Sequence, residues 1–144
     1  MTTTKMLYSR LEDWPNFDRQ FQYRAYAENI WKYIDPAAAG SPRPPWPEQP
    51  VFPQPSDAVD PADLDPDNPP TVLTLTGDQK ETYRILIKVF TARLNIWREV
   101  QESHRRLKYW CLDNVDRRQA NLYFTPTDTI TGWYADLRKS ATGR

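Results

Sequence analysis

A chain of 144 residues and 17.0 kDa has room for one ordinary domain, which argues against multi-domain catalytic machinery. Nineteen Lys plus Arg against nineteen Asp plus Glu cancel to zero formal charge, which argues against a dedicated polyanion binder unless the charges are segregated along the chain. Fourteen prolines against four glycines disfavour a turn-rich β sandwich, and a lone Cys111 and lone His104 exclude an internal disulfide and any multi-cysteine or His-pair metal site.

The first residues, Met1 to Tyr8, contain no apolar signal core, and no stretch approaches the roughly 18 apolar residues of a membrane span. A soluble, cytoplasmic protein without a membrane partner is the expectation. The first helix is predicted to start near Trp14 or Pro15, with Asp13 as N-cap, and to end by Asp35, because Pro36 disfavours helical geometry in its predecessor. Its apolar residues fall on two arcs. Trp14, Phe17 and Phe21 form one, and Tyr23, Ala27, Ile30, Trp31 and Ile34 the other, so the helix reads as covered on more than one side.

Twelve of the fourteen prolines then fall between Pro36 and Pro70. Each removes a backbone donor and holds its neighbour extended, so residues 36–75 are read as an irregular segment, disordered or tied down by anchors such as Trp46 and Phe52. Charge divides along the same boundaries: residues 1–35 hold five basic and five acidic side chains, 36–77 hold one and six, and 78–144 hold thirteen and eight. The overall zero therefore conceals an acidic middle and a basic C-terminal half. Within the Pro-rich stretch, Pro44, Pro45, Trp46 and Pro47 form a Pro-x-x-Pro run that can offer a polyproline helix to an aromatic groove, although such runs are common in Pro-rich chains and a plain linker is the preferred reading.

Thr76 to Gln79 is a capping box that opens the clearest helix of the sequence. Tyr83, Leu86, Ile87, Phe90, Leu94 and Trp97 recur at steps of three and four, and Ile85, Val89, Ile96, Val100 and Leu107 run as a second stripe about 120° away. The helix is expected over about 78–117, with a break or projecting segment at the polar run Gln101–Arg106. Leu122 to Phe124 reads as a short apolar anchor. A last helix is signalled by Thr125 to Asp128 and by the face Ile130, Trp133, Tyr134, Leu137, with Gly132 weakening it by about 1 kcal/mol relative to Ala. Trp14, Phe17, Trp31, Trp97 and Trp133 all lie on apolar stripes and are read as core.

No phosphate-binding loop, dinucleotide fingerprint, zinc-protease helix or nucleophile elbow occurs. Asp128-Thr-Ile-Thr-Gly132 lacks the contiguous Asp-Thr-Gly of an aspartic protease, and Asp128 is read as a helix cap. His104 and Cys111, seven residues apart on one helix, are too distant for a Cys-His pair, so a packed cysteine and a solvated histidine are expected. Arg98, Arg105, Arg106, Lys108, Arg117 and Arg118 are the candidate nucleic-acid contacts, since phosphate binding needs charge and reach. Their bland alternative is a solvated helix face or a partner for the acidic middle.

In order and character, Asp13-Trp-Pro-Asn-Phe17, Ile30-Trp-Lys-Tyr-Ile-Asp-Pro36, the spaced prolines, the long helix bearing Tyr83 and Trp133-Tyr-Ala-Asp-Leu137 resemble the Gag polyprotein of Ty1/copia-type LTR retrotransposons, fungal ones in particular. The resemblance implies an all-α capsid-like domain that self-assembles into a shell around RNA. The family's zinc knuckle has no counterpart, because Cys111 and His104 are the only residues of their kinds. There is also no room for the second helical lobe of many relatives.

The expectation is thus an all-α fold, a single helical domain over 1–144 with an irregular segment at 36–75. It has no catalytic, cofactor or metal site and no small-molecule substrate. Its partners are copies of itself through helical surfaces, with RNA as a non-specific second partner. The alternative is an adaptor that binds another protein through its Pro-rich loop or basic helix.

Overall fold

The computed structural model describes residues 7–36 and 42–143. The fold is all-α, with α1 at Trp14–Ala27, α2 at Gly77–Asn114, α3 at Arg117–Tyr123 and α4 at Ile130–Thr142. No strand occurs among the described residues, and an isolated parallel bridge pairs Tyr8 with Val115. The described part of the Pro-rich segment contains no α-helix, only short 3-10 turns at Pro55–Ala58, Pro61–Asp63 and Val72–Thr74.

Helix α1 stops at Ala27, short of the expected Asp35. Asn29 takes φ +59°, a left-handed conformation that Asn tolerates better than most residues and that no helix continues through. A 3-10 turn, Trp31–Tyr33, follows. Trp14, Phe17, Phe21 and Ala25 are the buried face of α1, and this reversal brings Ile30, Trp31 and Ile34 into the same core from beyond the bend. Tyr23 and Ala27, the members of the second arc that lie on α1, are exposed, so the helix is covered on one side only. Asp13 is the N-cap residue of α1, but its side chain makes no cap bond to the helix. Its carboxylate accepts the backbone N–H groups of Ser9 (2.9 Å) and Arg10 (3.0 Å) and so braces the 3-10 turn Leu11–Asp13 ahead of the helix.

The capping box at the start of α2 is present in both directions: Gln79 Oε1 accepts from the Thr76 N–H at 2.8 Å, and Thr76 Oγ1 accepts from the Gln79 N–H at 3.2 Å. No break occurs at Gln101–Arg106, and α2 runs for 38 residues. Glu102 pairs with Arg105 one turn on and lies 3.9 Å from Arg106, so the polar run supports the helix through i,i+3 and i,i+4 pairs. The helix ends where Val115 bridges Tyr8. Asp116, whose carboxylate accepts the Arg118 N–H at 3.0 Å, then opens the separate helix α3.

Helix α4 begins at Ile130, later than its proline suggested, because Thr125–Asp128 closes a turn, the Asp128 N–H donating to the Thr125 carbonyl at 3.0 Å. Asp128 lays its carboxylate on the Thr129 N–H (2.8 Å). A Cβ on Gly132 would stand 2.0 Å from Asp128 Oδ2, so the glycine that lowers helix propensity leaves room for that carboxylate. The N-cap residue is Thr129, and Asp128 stands before it rather than capping the helix.

The residues group into two compact units. One runs to Trp46 and resumes at Val100, and the other is Pro47–Glu99. The first has an aromatic core: Phe21 stacks on Tyr134 (centroids 4.6 Å apart), Phe17 on Trp110 (5.4 Å) and Phe124 on Trp133 (4.4 Å). Tyr134 donates its hydroxyl to Asp18 Oδ1, tying α4 to α1. In the second unit the Pro-rich chain lies along the N-terminal part of α2. Tyr83 donates to the Pro53 carbonyl at 2.9 Å, and Phe52 meets Phe90 edge-on at 5.2 Å.

Candidate functional site

Two places combine unusual chemistry with unusual packing, one in each unit. In the first, Trp46 is stacked against both Tyr33 (4.7 Å) and His104 (4.5 Å). Its indole N–H donates to Thr131 Oγ1 at 2.9 Å, and that hydroxyl donates to the Tyr33 carbonyl at 2.8 Å. Arg43 adds a bond to the Ile34 carbonyl at 3.1 Å. Both expected anchors of the Pro-rich segment, Trp46 here and Phe52 in the other unit, therefore have partners. Pro44 and Pro45 stay exposed, and Pro47 is half-buried. The tryptophan of the Pro-x-x-Pro run is thus already engaged by its own chain.

His104 is not solvated as expected. Its Nε2 accepts the Ile130 N–H at 2.9 Å, satisfying a free donor at the start of α4. A ring that accepts there must be neutral, and burial, aided by the nearby Lys108 charge, pushes its pKa down to about 4. Below pH 6.5 the unfolded chain takes up a proton that the folded chain refuses until about pH 4. Stability is therefore full above pH 6.5 and falls as pH drops through that window. Because the ring is partly exposed, we expect a loss of about 1 kcal/mol between pH 7 and 5. Thermal melts of wild type and His104→Gln at both pH values check this. Equal pH dependence in the two proteins would rule His104 out as the cause. Cys111 is packed as expected, fully buried, and burial pushes its thiol pKa far up, so it is no nucleophile in the folded state.

The candidate nucleic-acid contacts are not brought together as one surface. Arg106 makes a two-pronged pair with Glu28 at 2.9 and 2.7 Å, and Arg105 bonds Glu102. Lys108 donates to the Asp128 carbonyl and sits 4.5 Å above the Trp133 ring. Arg117 and Arg118 project from the first turn of α3, and Arg98 is exposed on α2 in the other unit. None of these three has a carboxylate partner among the described residues.

The second place is α2 within Pro47–Glu99. From Thr82 to Arg98 the helix carries Arg84, Lys88, Arg93 and Arg98 and no Asp or Glu. At 100° per residue, Ile85, Val89 and Ile96 form one stripe, with Lys88 on one side of it and Arg93 on the other. All three apolar side chains face solvent, with 52%, 41% and 57% exposure. Leu86, Phe90 and Trp97, from the other stripe, are half-buried in the wall of a groove of about 510 Å³ between α2 and Pro47–Pro53. Val89, Arg93, Ile96, Glu48 and Asp57 also line that groove. Ile85, Val89 and Ile96 were visible in the sequence as a second stripe, but periodicity alone reads such a stripe as buried.

Among the described residues, no group of three or more His, Cys, Asp or Glu side chains is placed to hold a metal ion, and no helix is long and apolar enough to cross a membrane. No protein-family model, curated protein or solved structure matches the chain.

Proposed function

We propose that this chain is a non-enzymatic structural protein, a Gag-like capsid module that associates with copies of itself. The carrying observation is the solvent-facing stripe Ile85, Val89, Ile96 on α2. An amphipathic helix gains stability by covering its apolar face, and contiguous exposed apolar surface on a soluble chain marks an interaction site. The stripe is also well suited to repeated contacts, since it lies on a regular helix. Shell formation follows from the resemblance to retrotransposon Gag. RNA is the second partner of this reading, reached by Arg98, Arg117 and Arg118, the candidate cations with no carboxylate, carbonyl or ring partner among the described residues. The adaptor reading gains less support, because Trp46 of the Pro-x-x-Pro run is stacked and hydrogen-bonded within its own unit.

Light scattering coupled to size exclusion, over a hundredfold concentration range, tests the proposal. Wild type should rise in mass above the 17.0 kDa of one chain. A Val89→Asp, Ile96→Asp variant should stay at that mass with its helical circular dichroism intact, because both positions are exposed in the single chain. A wild-type protein that remains at one-chain mass throughout would overturn the reading.

A further inference from the structure

Resting on that self-association, the charge pattern identifies what covers the stripe. We infer that the acidic stretch Asp57–Asp67 of a second copy docks on the Ile85–Val89–Ile96 face of α2, in a head-to-tail contact. The stretch carries Asp57, Asp60, Asp63, Asp65 and Asp67 and no Lys or Arg, just as α2 from Thr82 to Arg98 carries four cations and no carboxylate. Complementary fields of this kind both steer encounter and fix register.

Within one chain Asp57 shares a groove with Val89, Arg93 and Ile96, but among the described residues no ion pair joins the two surfaces. Asp57 accepts from the Gln54 N–H, Asp60 from the Ala62 N–H and Asp65 from the Asp67 N–H, all at 2.8–2.9 Å, so these carboxylates bond their own backbone. Among the described residues no salt bridge joins them to Lys88, Arg93 or Arg98. A carboxylate holding one backbone N–H keeps lone pairs for a cation. The stretch also supplies an apolar element: Leu64, 39% exposed, stands between Asp63 and Asp65. An apolar side chain between two carboxylates matches an apolar stripe between Lys88 and Arg93. Pro61, Pro66 and the turn Pro61–Asp63 stiffen the stretch, which lowers the entropy lost on docking. Val89, Arg93 and Ile96 line the groove that also holds the chain's own Glu48 and Asp57, so the second copy's stretch meets the parts of Val89 and Ile96 that stay exposed, together with Ile85.

The other way for two copies to cover the stripe is helix against helix. That pairing gathers Lys88 and Arg93 of both copies along one seam, with no acidic residue between Thr82 and Arg98 to offset them. A contact between two different patches does not close on itself, so it builds chains or rings, as a shell-forming protein requires.

Two variants test this. One, Lys88→Glu with Arg93→Glu, loses the helix face, and the other, Asp63→Asn, Asp65→Asn, Asp67→Asn, loses the acidic stretch. Each alone should need at least a tenfold higher concentration than wild type to associate. Mixed one to one, they should form a two-chain species and nothing larger, since one good contact remains and cannot propagate. An acidic-stretch variant that associates like wild type, or a mixture that stays at one-chain mass, overturns the head-to-tail contact. Self-association itself then stands if wild type still gains mass, and falls if it does not. RNA binding by the acidic-stretch variant but not by Lys88→Glu with Arg93→Glu, with no self-association in wild type, would make the basic face a polyanion surface and overturn the inference as well.

Discussion

Phe21→Ala is expected to destabilise the first unit by about 3–5 kcal/mol, a large share of the 5–15 kcal/mol typical of a domain. Phe21 is 1% exposed and touches four rings: Tyr134 stacked at 4.6 Å, Phe17 at 6.2 Å, Trp31 at 6.3 Å and Trp110 at 6.3 Å. Truncation removes the transfer free energy of a buried aromatic and leaves a cavity whose walls come from α1, α2, α4 and the turn after α1. Rings held from several directions cannot collapse into it, which places the cost toward the upper end of the range. Urea melts followed by circular dichroism measure the change. Phe21→Leu, which refills much of the volume, should recover more than half of it. A Phe21→Ala protein within 1 kcal/mol of wild type would mean that α1 does not pack as described.

Trp46→Ala is expected to cost about 2–4 kcal/mol, less than a fully buried aromatic because Trp46 is half-buried. Three interactions are lost together: the stacks on Tyr33 and His104 and the indole bond to Thr131. The accompanying effect separates this from ordinary truncation. With Trp46 gone, water reaches His104, the desolvation that holds its pKa near 4 is relieved, and the titration moves up toward 6.5. Proton NMR of the single histidine reads that shift directly. Trp46→Phe keeps an aromatic face but not the donor, so it should cost about 1 kcal/mol and leave the histidine pKa low. An unmoved histidine in Trp46→Ala would show that other groups exclude water from the ring.

What could be read in advance was local. The Thr76–Gln79 box needs only four residues, and the α4 face Ile130, Trp133, Tyr134, Leu137 needs only a period, and both are found in place. The end of α1 was missed because Asn29 fits a helix by composition, and only the fold makes it adopt φ +59°. The polar run in α2 resembles a break because it interrupts an apolar stripe, but Glu102 pairs with Arg105 and Arg106 and carries the helix through it. His104 was misplaced because its surroundings come from Trp46, Tyr33 and Ile130, all distant in sequence. At the candidate site, the cations and the apolar spacing of α2 were legible, but the exposure of Ile85, Val89 and Ile96 depends on what the rest of the chain leaves uncovered.

The first unit is assembled from the two ends of the chain, with Pro47–Glu99 intervening, and Asp18 and Tyr134 are 116 residues apart in sequence. Closing so long a loop costs entropy before any packing is gained, which slows folding relative to a bundle of neighbouring helices. During synthesis, Trp14, Phe17 and Phe21 leave the ribosome long before Tyr134 exists to cover them. The nascent chain therefore carries the apolar face of α1 uncovered until α4 is made, and it is at that stage, rather than after folding, that a chaperone would matter most.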